Sequence, residues 1–219
     1  MSVLNKKWLV KNTNQHETIP EKLLANRGLV EKSQVQAYLY PNYQKGFHDP
    51  FLMKDMEKAV QRIKKAIAAH ERIIIFGDYD VDGISGTAIL YQTFKACGAN
   101  ISYRLPHRVK DGYGLSSAFV EDFARAKANL VITVDCGISC KQQIELAKNY
   151  GIDVIITDHH TVPQNFPDAA YAILHPLQPN CKYPFKGLTG AGVAYKLASA
   201  LIADQFSIEE REKFLFSLL

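Results

Sequence analysis

Three short β-branched runs in this chain each end abruptly in acids or imidazoles, and that recurrence restricts the fold more than any other feature. Residues 72–76 run into Gly77-Asp78-Tyr79-Asp80-Val81-Asp82-Gly83. Leu130–Val134 runs into Asp135-Cys136-Gly137, and residues 154–157 run into Asp158-His159-His160. The runs are continuously apolar and do not alternate, so both faces of each strand are to be buried. Segments with apolar residues at helical spacing lie between them, at residues 84–97, 116–127 and 141–150. Further strands are expected at residues 101–105 and 171–174, and two closing helices at residues 191–201 and 208–218. Strands that alternate with helices in this way predict an α/β fold, a parallel β-sheet flanked by helices.

The first fifty residues have a different texture. They carry the only tryptophan, Trp8, with Pro20, Pro41 and Pro50, and helical patches at residues 21–27 and 33–39 without a sheet signal. This region reads as a short helical N-terminal leader over residues 1–50, ahead of a main domain over 51–219. Residues 52–67 open the main domain with an amphipathic helical pattern. No apolar run is long enough to span a bilayer, and the lysine-bearing N-terminus has no apolar core like that of a signal peptide. A cytoplasmic protein without a membrane partner is the expectation. The four cysteines show no paired spacing of the zinc-binding kind. A net charge of +4 permits nucleic acid binding through a local site without requiring it.

In an open parallel sheet, ligands bind at the carboxyl ends of the strands, so three strands bring acids and imidazoles to one edge. Any single aspartate there is more often a cap or a turn residue, and Asp78 reads that way, as a residue structuring the loop that presents Asp80 and Asp82. Three clusters together repel one another, and a bound dication relieves that repulsion. Carboxylates and imidazoles without thiolate suit Mn2+ or Mg2+ better than zinc. There are enough of them for two ions, with Asp135 as the natural bridge. Arg104, His107, Arg108 and Lys110 lie on the same edge and read equally as phosphate contacts or as a solvated turn. The glycine-rich start of the helix at Gly190-Ala191-Gly192 is a further phosphate candidate through its backbone N–H groups.

Asp80-x-Asp82, Asp135 and Asp158-His159-His160 resemble the first three motifs of the DHH phosphoesterases. Asp111-Gly112-Tyr113-Gly114-Leu115 and Gly190-Ala191-Gly192-Val193-Ala194 are similar to the branch of single-strand DNA exonucleases within that superfamily. The resemblance implies a two-metal hydrolase that removes nucleotides from the 5′ end of single-stranded DNA in recombination and repair, with a single-strand-binding protein and a helicase as partners. It makes Asp80, Asp82, Asp135 and His159 metal ligands and puts His160 at the scissile phosphate. Asp158 would orient the imidazoles, and Arg108 would contact a DNA phosphate. Some superfamily members have a histidine where this chain has Phe76. A fourth motif and further domains are expected beyond Leu219, so the 219 residues alone are expected to have weak or no activity. The rival readings are a DHH phosphatase or short-oligonucleotide hydrolase, a silent DNA-binding scaffold and, last, a phospho-accepting receiver domain.

Overall fold

Runs such as Leu-Val-Ile-Thr-Val and Asp-Val-Ile-Ile-Thr are stiff at χ1 and fit a pleated surface covered on both sides. A computed structural model, which describes residues 18–42, 46–204 and 206–217, bears this out. Trp8 with the rest of residues 1–17, together with residues 43–45, 205, 218 and 219, lies outside the described residues. The chain divides into two compact units, Met1–Phe47 and His48–Leu219.

In the first unit, α1 (Ile19–Ala25) starts with a capping box. The Glu21 carboxylate accepts from the Thr18 N–H at 2.7 Å, and the Thr18 hydroxyl accepts from the Glu21 N–H at 3.4 Å. α2 spans Lys32–Leu39.

The second unit holds a five-stranded parallel sheet. In chain order its elements are α3 (Met56–Ala68), β1 (Ile73–Gly77), α4 (Val81–Ala96), β2 (Ile101–Arg104), α5 (Ser117–Arg125) and β3 (Leu130–Val134). They continue with α6 (Lys141–Asn149), β4 (Asp153–Thr157), β5 (Ala172–Leu174), α7 (Gly190–Leu201) and α8 (Ile208–Phe216). The strands lie in the order β2-β1-β3-β4-β5, so the three that end in acids are neighbours. α4 begins three residues before the apolar pattern predicts, because Asp80 accepts from the Gly83 N–H at 2.9 Å and caps the helix there. β2 departs from the expected double burial. It is an edge strand, and Ser102, Tyr103 and Arg104 are exposed.

Alternate strand residues feed two cores. Ile73, Ile75, Leu130, Ile132, Val134 and Ile155 meet α3, α4 and α7 on one face. Ile74, Phe76, Val131, Val154 and Ile156 meet α5 and α6 on the other. Phe76 lies wholly inside this second core, its ring 5.0 Å from that of Phe119 and 5.9 Å from that of Phe123. The position that carries a histidine in some superfamily members is therefore a packing position here. Among the described residues, no helix is long and apolar enough to cross a membrane.

Candidate metal centre

The register places the site. Gly77 pairs with Val134 and Val134 with Thr157, so Asp78, Asp135 and Asp158 are the first residues beyond the sheet, level with one another. Their backbones extend the ladder by one step. The Asp78 N–H donates to the Val134 carbonyl (3.1 Å), that of Asp135 to Thr157 (2.9 Å) and that of Asp158 to Leu174 (3.2 Å). Asp135 then turns the chain in the left-handed region, at φ 61°, which an aspartate tolerates better than most residues. Three aspartates thus stand in a row on rigid backbone.

Their environments differ sharply. Asp158 is saturated with donors. One carboxylate oxygen accepts from the Ile138 N–H at 2.9 Å; the other accepts from the N–H groups of His159 and His160 at 2.7 and 3.0 Å and meets His160 Nδ1 at 2.7 Å. Burial pushes its pKa up, but the His160 and Ile138 hydrogen bonds outweigh burial and hold it below the usual carboxylate range. Asp158 therefore anchors the loop as an anion and fixes the His160 ring. The same bond raises His160 to about 8, against the effect of burial.

Asp135 and Asp78 are the reverse case. Each is 2% exposed, and one oxygen of each, Oδ1, is buried and accepts no hydrogen bond among the described residues, although His159 Nε2 lies 3.1 Å from that of Asp135. Burial, reinforced by the nearby Asp82 charge, pushes Asp135 up to about 7. Burial also raises Asp78, opposed by a backbone hydrogen bond from Tyr79. An orphaned buried anion is costly unless it is protonated or paired with a cation.

The candidate ligand atoms converge on Asp135. Asp135, His159 and His160 offer atoms that all lie within 4.8 Å of one another, and so do Asp78, Asp80 and Asp135. His159 Nε2 is 3.1 Å from Asp135 Oδ1 and 3.6 Å from Asp82 Oδ2. Two adjoining groups that share one carboxylate, built from oxygen and imidazole nitrogen with orphaned anionic oxygens, fit hard divalent cations. The sequence assigned Asp78 to the loop; the structure puts its carboxylate in the cluster.

Asp82 has a second task. Its two oxygens accept from the Gly190 and Ala191 N–H groups, both at 2.7 Å, so it binds the positive end of α7. The Gly192 N–H donates to the Thr189 hydroxyl at 3.1 Å. The amides that the sequence offers to a phosphate at this helix start are used by a carboxylate from α4 and by the helix's own cap. His107 is exposed and folds back on its own turn. Its Nδ1 accepts from the Val109 and Lys110 N–H groups at 3.2 and 3.4 Å. Arg108 is exposed, its guanidinium 4.7 Å from the centre of the Tyr79 ring.

Two further residues reach the site: Tyr113, which the sequence offered only as part of the motif at residues 111–115, and His175, which carried no signal in it. Tyr113 places its hydroxyl 3.3 Å from His160 Nε2. His175 is fully buried beneath the loop; its Nδ1 accepts from the Leu177 N–H at 3.0 Å, and its Nε2 faces the His160 carbonyl at 2.8 Å. Those neighbours require the neutral tautomer protonated on Nε2, and burial lowers the pKa accordingly. His175→Ala leaves a buried N–H and a carbonyl without partners. It is expected to destabilise the metal-free protein by about 2 kcal/mol in urea unfolding; an unchanged midpoint would show that the two bonds add nothing.

A parallel sheet with an acid-imidazole cluster at its carboxyl edge marks this as an α/β domain with a candidate metal centre. Residues 72–218 match the DHH family, N-terminal domain, and the chain belongs to that family. The relatives it resembles are single-stranded-DNA-specific exonucleases called RecJ. That of Bacillus subtilis (strain 168) is 42% identical over 182 residues, which is 83% of this chain and 23% of the relative. That of Escherichia coli (strain K12) is 38% identical over 194 residues, 87% of this chain and 33% of the relative. A crystal structure of exonuclease RecJ bound to manganese matches with a TM-score of 0.63 and 36% identity, over 69% of this chain and 38% of that one. RecJ from Thermus thermophilus in complex with Mn2+ matches with a TM-score of 0.58 and 34% identity, over 69% of this chain and 21% of that one. The chain spans about a quarter to a third of the length of these curated relatives.

Proposed function

We propose that this chain carries the metal-binding machinery of a phosphodiesterase that hydrolyses single-stranded DNA from its 5′ end in recombination and repair, with Mn2+ or Mg2+ as cofactor. The observation that carries this reading is the pair of adjoining ligand groups that share Asp135, with buried carboxylate oxygens at Asp78 and Asp135 that accept no hydrogen bond. They occur in a chain whose relatives are RecJ exonucleases, one of which is known in a manganese-bound structure. Asp80, Asp82, Asp135 and His159 are the proposed ligands, with Asp78 beside them. A divalent pair in such a cluster activates water and neutralises charge on the phosphodiester.

The chain's own residues do the rest. Asp158 holds His160 through Nδ1, which leaves Nε2 for the substrate. Held this way, the imidazole can donate to an oxygen of the scissile phosphate. Arg108, supported on Tyr79, is the proposed contact to a neighbouring phosphate. A single-stranded substrate suits partners that open and coat DNA, namely a helicase and a single-strand-binding protein, and the cytoplasm is the proposed compartment.

The test is Mn2+-dependent release of mononucleotides from a 5′-labelled single strand, set against the matching duplex and a dinucleotide. Preference for the single strand is expected. Preference for the dinucleotide would make the chain a short-oligonucleotide hydrolase; because little release is expected from these 219 residues alone, the reading is overturned if neither metal binds the chain in calorimetry.

A further inference from the structure

α4 is apolar on its exposed side as well as on its buried one. Gly83, Thr87, Leu90 and Phe94 pack inward. Val81, Ile84, Ala88, Tyr91 and Lys95 follow one another along the other side at three- and four-residue steps, Tyr91 half-buried and the rest exposed. A helix that is apolar all round is ordinarily covered. The stripe is about 21 Å long at 1.5 Å per residue. It starts at the candidate metal centre, because Val81 stands between Asp80 and Asp82 and is 82% exposed.

Farther along, the stripe meets the edge strand. Tyr103 pairs with Ile75 in the sheet, which puts it on the α4 side of β2. Its ring stands edge to face with that of Tyr91 at 5.4 Å, so Tyr103 is held in place while 57% of it remains exposed.

Charge decides the kind of partner. No aspartate or glutamate occurs between Asp82 and Asp111, whereas the same segment carries Lys95, Arg104, Arg108 and Lys110. All four are exposed. The helices on the other face of the sheet are mixed in charge, with Glu121, Asp122 and Arg125 on α5 and with Lys141, Glu145 and Lys148 on α6. A partner protein would need only the apolar stripe. A polyanion with flat apolar bases uses the stripe, the paired rings and the unopposed cations together.

We propose that the face formed by α4 and β2 is a track for single-stranded DNA leading away from the metal centre. Bases stack on Tyr103 and lie over the α4 stripe, while Arg108 at the centre and Lys95 at the far end meet phosphates. Contacts of this kind do not read base identity. The track rests on the nuclease reading for its ligand and deepens it by stating where the strand lies.

The test follows the fluorescence anisotropy of a labelled oligothymidylate of about twelve nucleotides, with the chain in EDTA, where nothing is hydrolysed. Tyr103→Ala is expected to weaken binding about tenfold, the loss of one stacked base, and Tyr103→Phe to stay within about twofold because the ring remains. Lys95→Gln should lower the slope of log affinity against log salt by about 0.7. Tyr150→Ala removes an exposed tyrosine at the end of α6; it is the control and should change nothing. Equal binding by the wild type and Tyr103→Ala would overturn the track, and so would a duplex bound as tightly as the single strand. A wild-type chain that binds no strand would also overturn it. The same holds if sedimentation shows a dimer that Tyr103→Ala dissolves, which would make this face an interface between copies. Binding in EDTA does not depend on the metal centre. If neither Mn2+ nor Mg2+ binds in calorimetry, the nuclease reading fails, and the anisotropy results still decide the track.

Discussion

Asp135→Asn is expected to abolish Mn2+ binding by calorimetry while making the metal-free protein more stable at pH 8. The loss follows from geometry, because Asp135 belongs to both candidate ligand groups and an amide is a far weaker ligand for a hard cation than a carboxylate. Hydrolysis should fall at least about a thousandfold, as expected when charge stabilisation at a reacting phosphate is removed.

The stability gain has a definite sign. The folded pKa of Asp135, about 7, lies above its unfolded value. Stability from this group is therefore fully present below about pH 4 and is lost as pH rises through 7. Above pH 7 the folded protein must hold a buried anion that the variant lacks. His160, raised to about 8, provides a partial counter-charge until it too deprotonates. The variant should accordingly unfold with roughly 1–3 kcal/mol more free energy at pH 8 than the wild type, with no advantage at pH 4. Retention of wild-type Mn2+ affinity would remove Asp135 from the centre of the site. Equal stability at pH 8 would mean that its charge is already compensated in the metal-free fold.

Gly190→Ala should be nearly as damaging, although it removes no ligand. A Cβ built at Gly190 would lie 2.5 Å from both Cβ and Cγ of Asp135 and would also collide with its Oδ1. Either the Asp135 carboxylate turns away or the first turn of α7 retreats. The second movement breaks the two 2.7 Å bonds from the Gly190 and Ala191 N–H groups to Asp82, so one methyl group disturbs two candidate ligands. Mn2+ affinity is expected to fall about a hundredfold, and stability by about 2 kcal/mol from overpacking. Gly192→Ala is the control on the same helix. Its Cβ would meet only side-chain atoms, at 3.3 Å or more, and alanine is the better helix former. Calorimetry and urea unfolding of the pair decide the matter; equal behaviour of the two variants would show that close approach to Asp135 is not what excludes a side chain at Gly190.

The parallel sheet was legible because its physical causes are local. Leu130–Val134 and Asp153–Thr157 are strands over the lengths their β-branched runs predict, and the helices between strands recur at 3.6-residue spacing. The acids could be placed at strand ends because a strand that leaves a buried sheet must turn at its edge. Even the start of α4, three residues earlier than the apolar pattern predicts, had a readable cause, a capping aspartate one residue before the helix. The exposure of β2 did not, since Ile-Ser-Tyr-Arg does not announce an edge position.

Tertiary structure alone decided what each acid does. Asp78, Asp135 and Asp158 follow strands in the same way, yet one is saturated with hydrogen bonds and two keep a buried oxygen that accepts none. A sequence names donors and acceptors, but it cannot say which of them meet. The partners of Asp158 include Ile138, 20 residues earlier, and those of Asp82 lie 108 and 109 residues later. The strand order that makes β1, β3 and β4 neighbours, the His175 support and the Tyr113 contact have the same origin. Sequence by itself determined which chemical groups reach the carboxyl edge; only the fold, by desolvating some carboxylates and pairing others, decided which remain to hold a metal and which hold the site together.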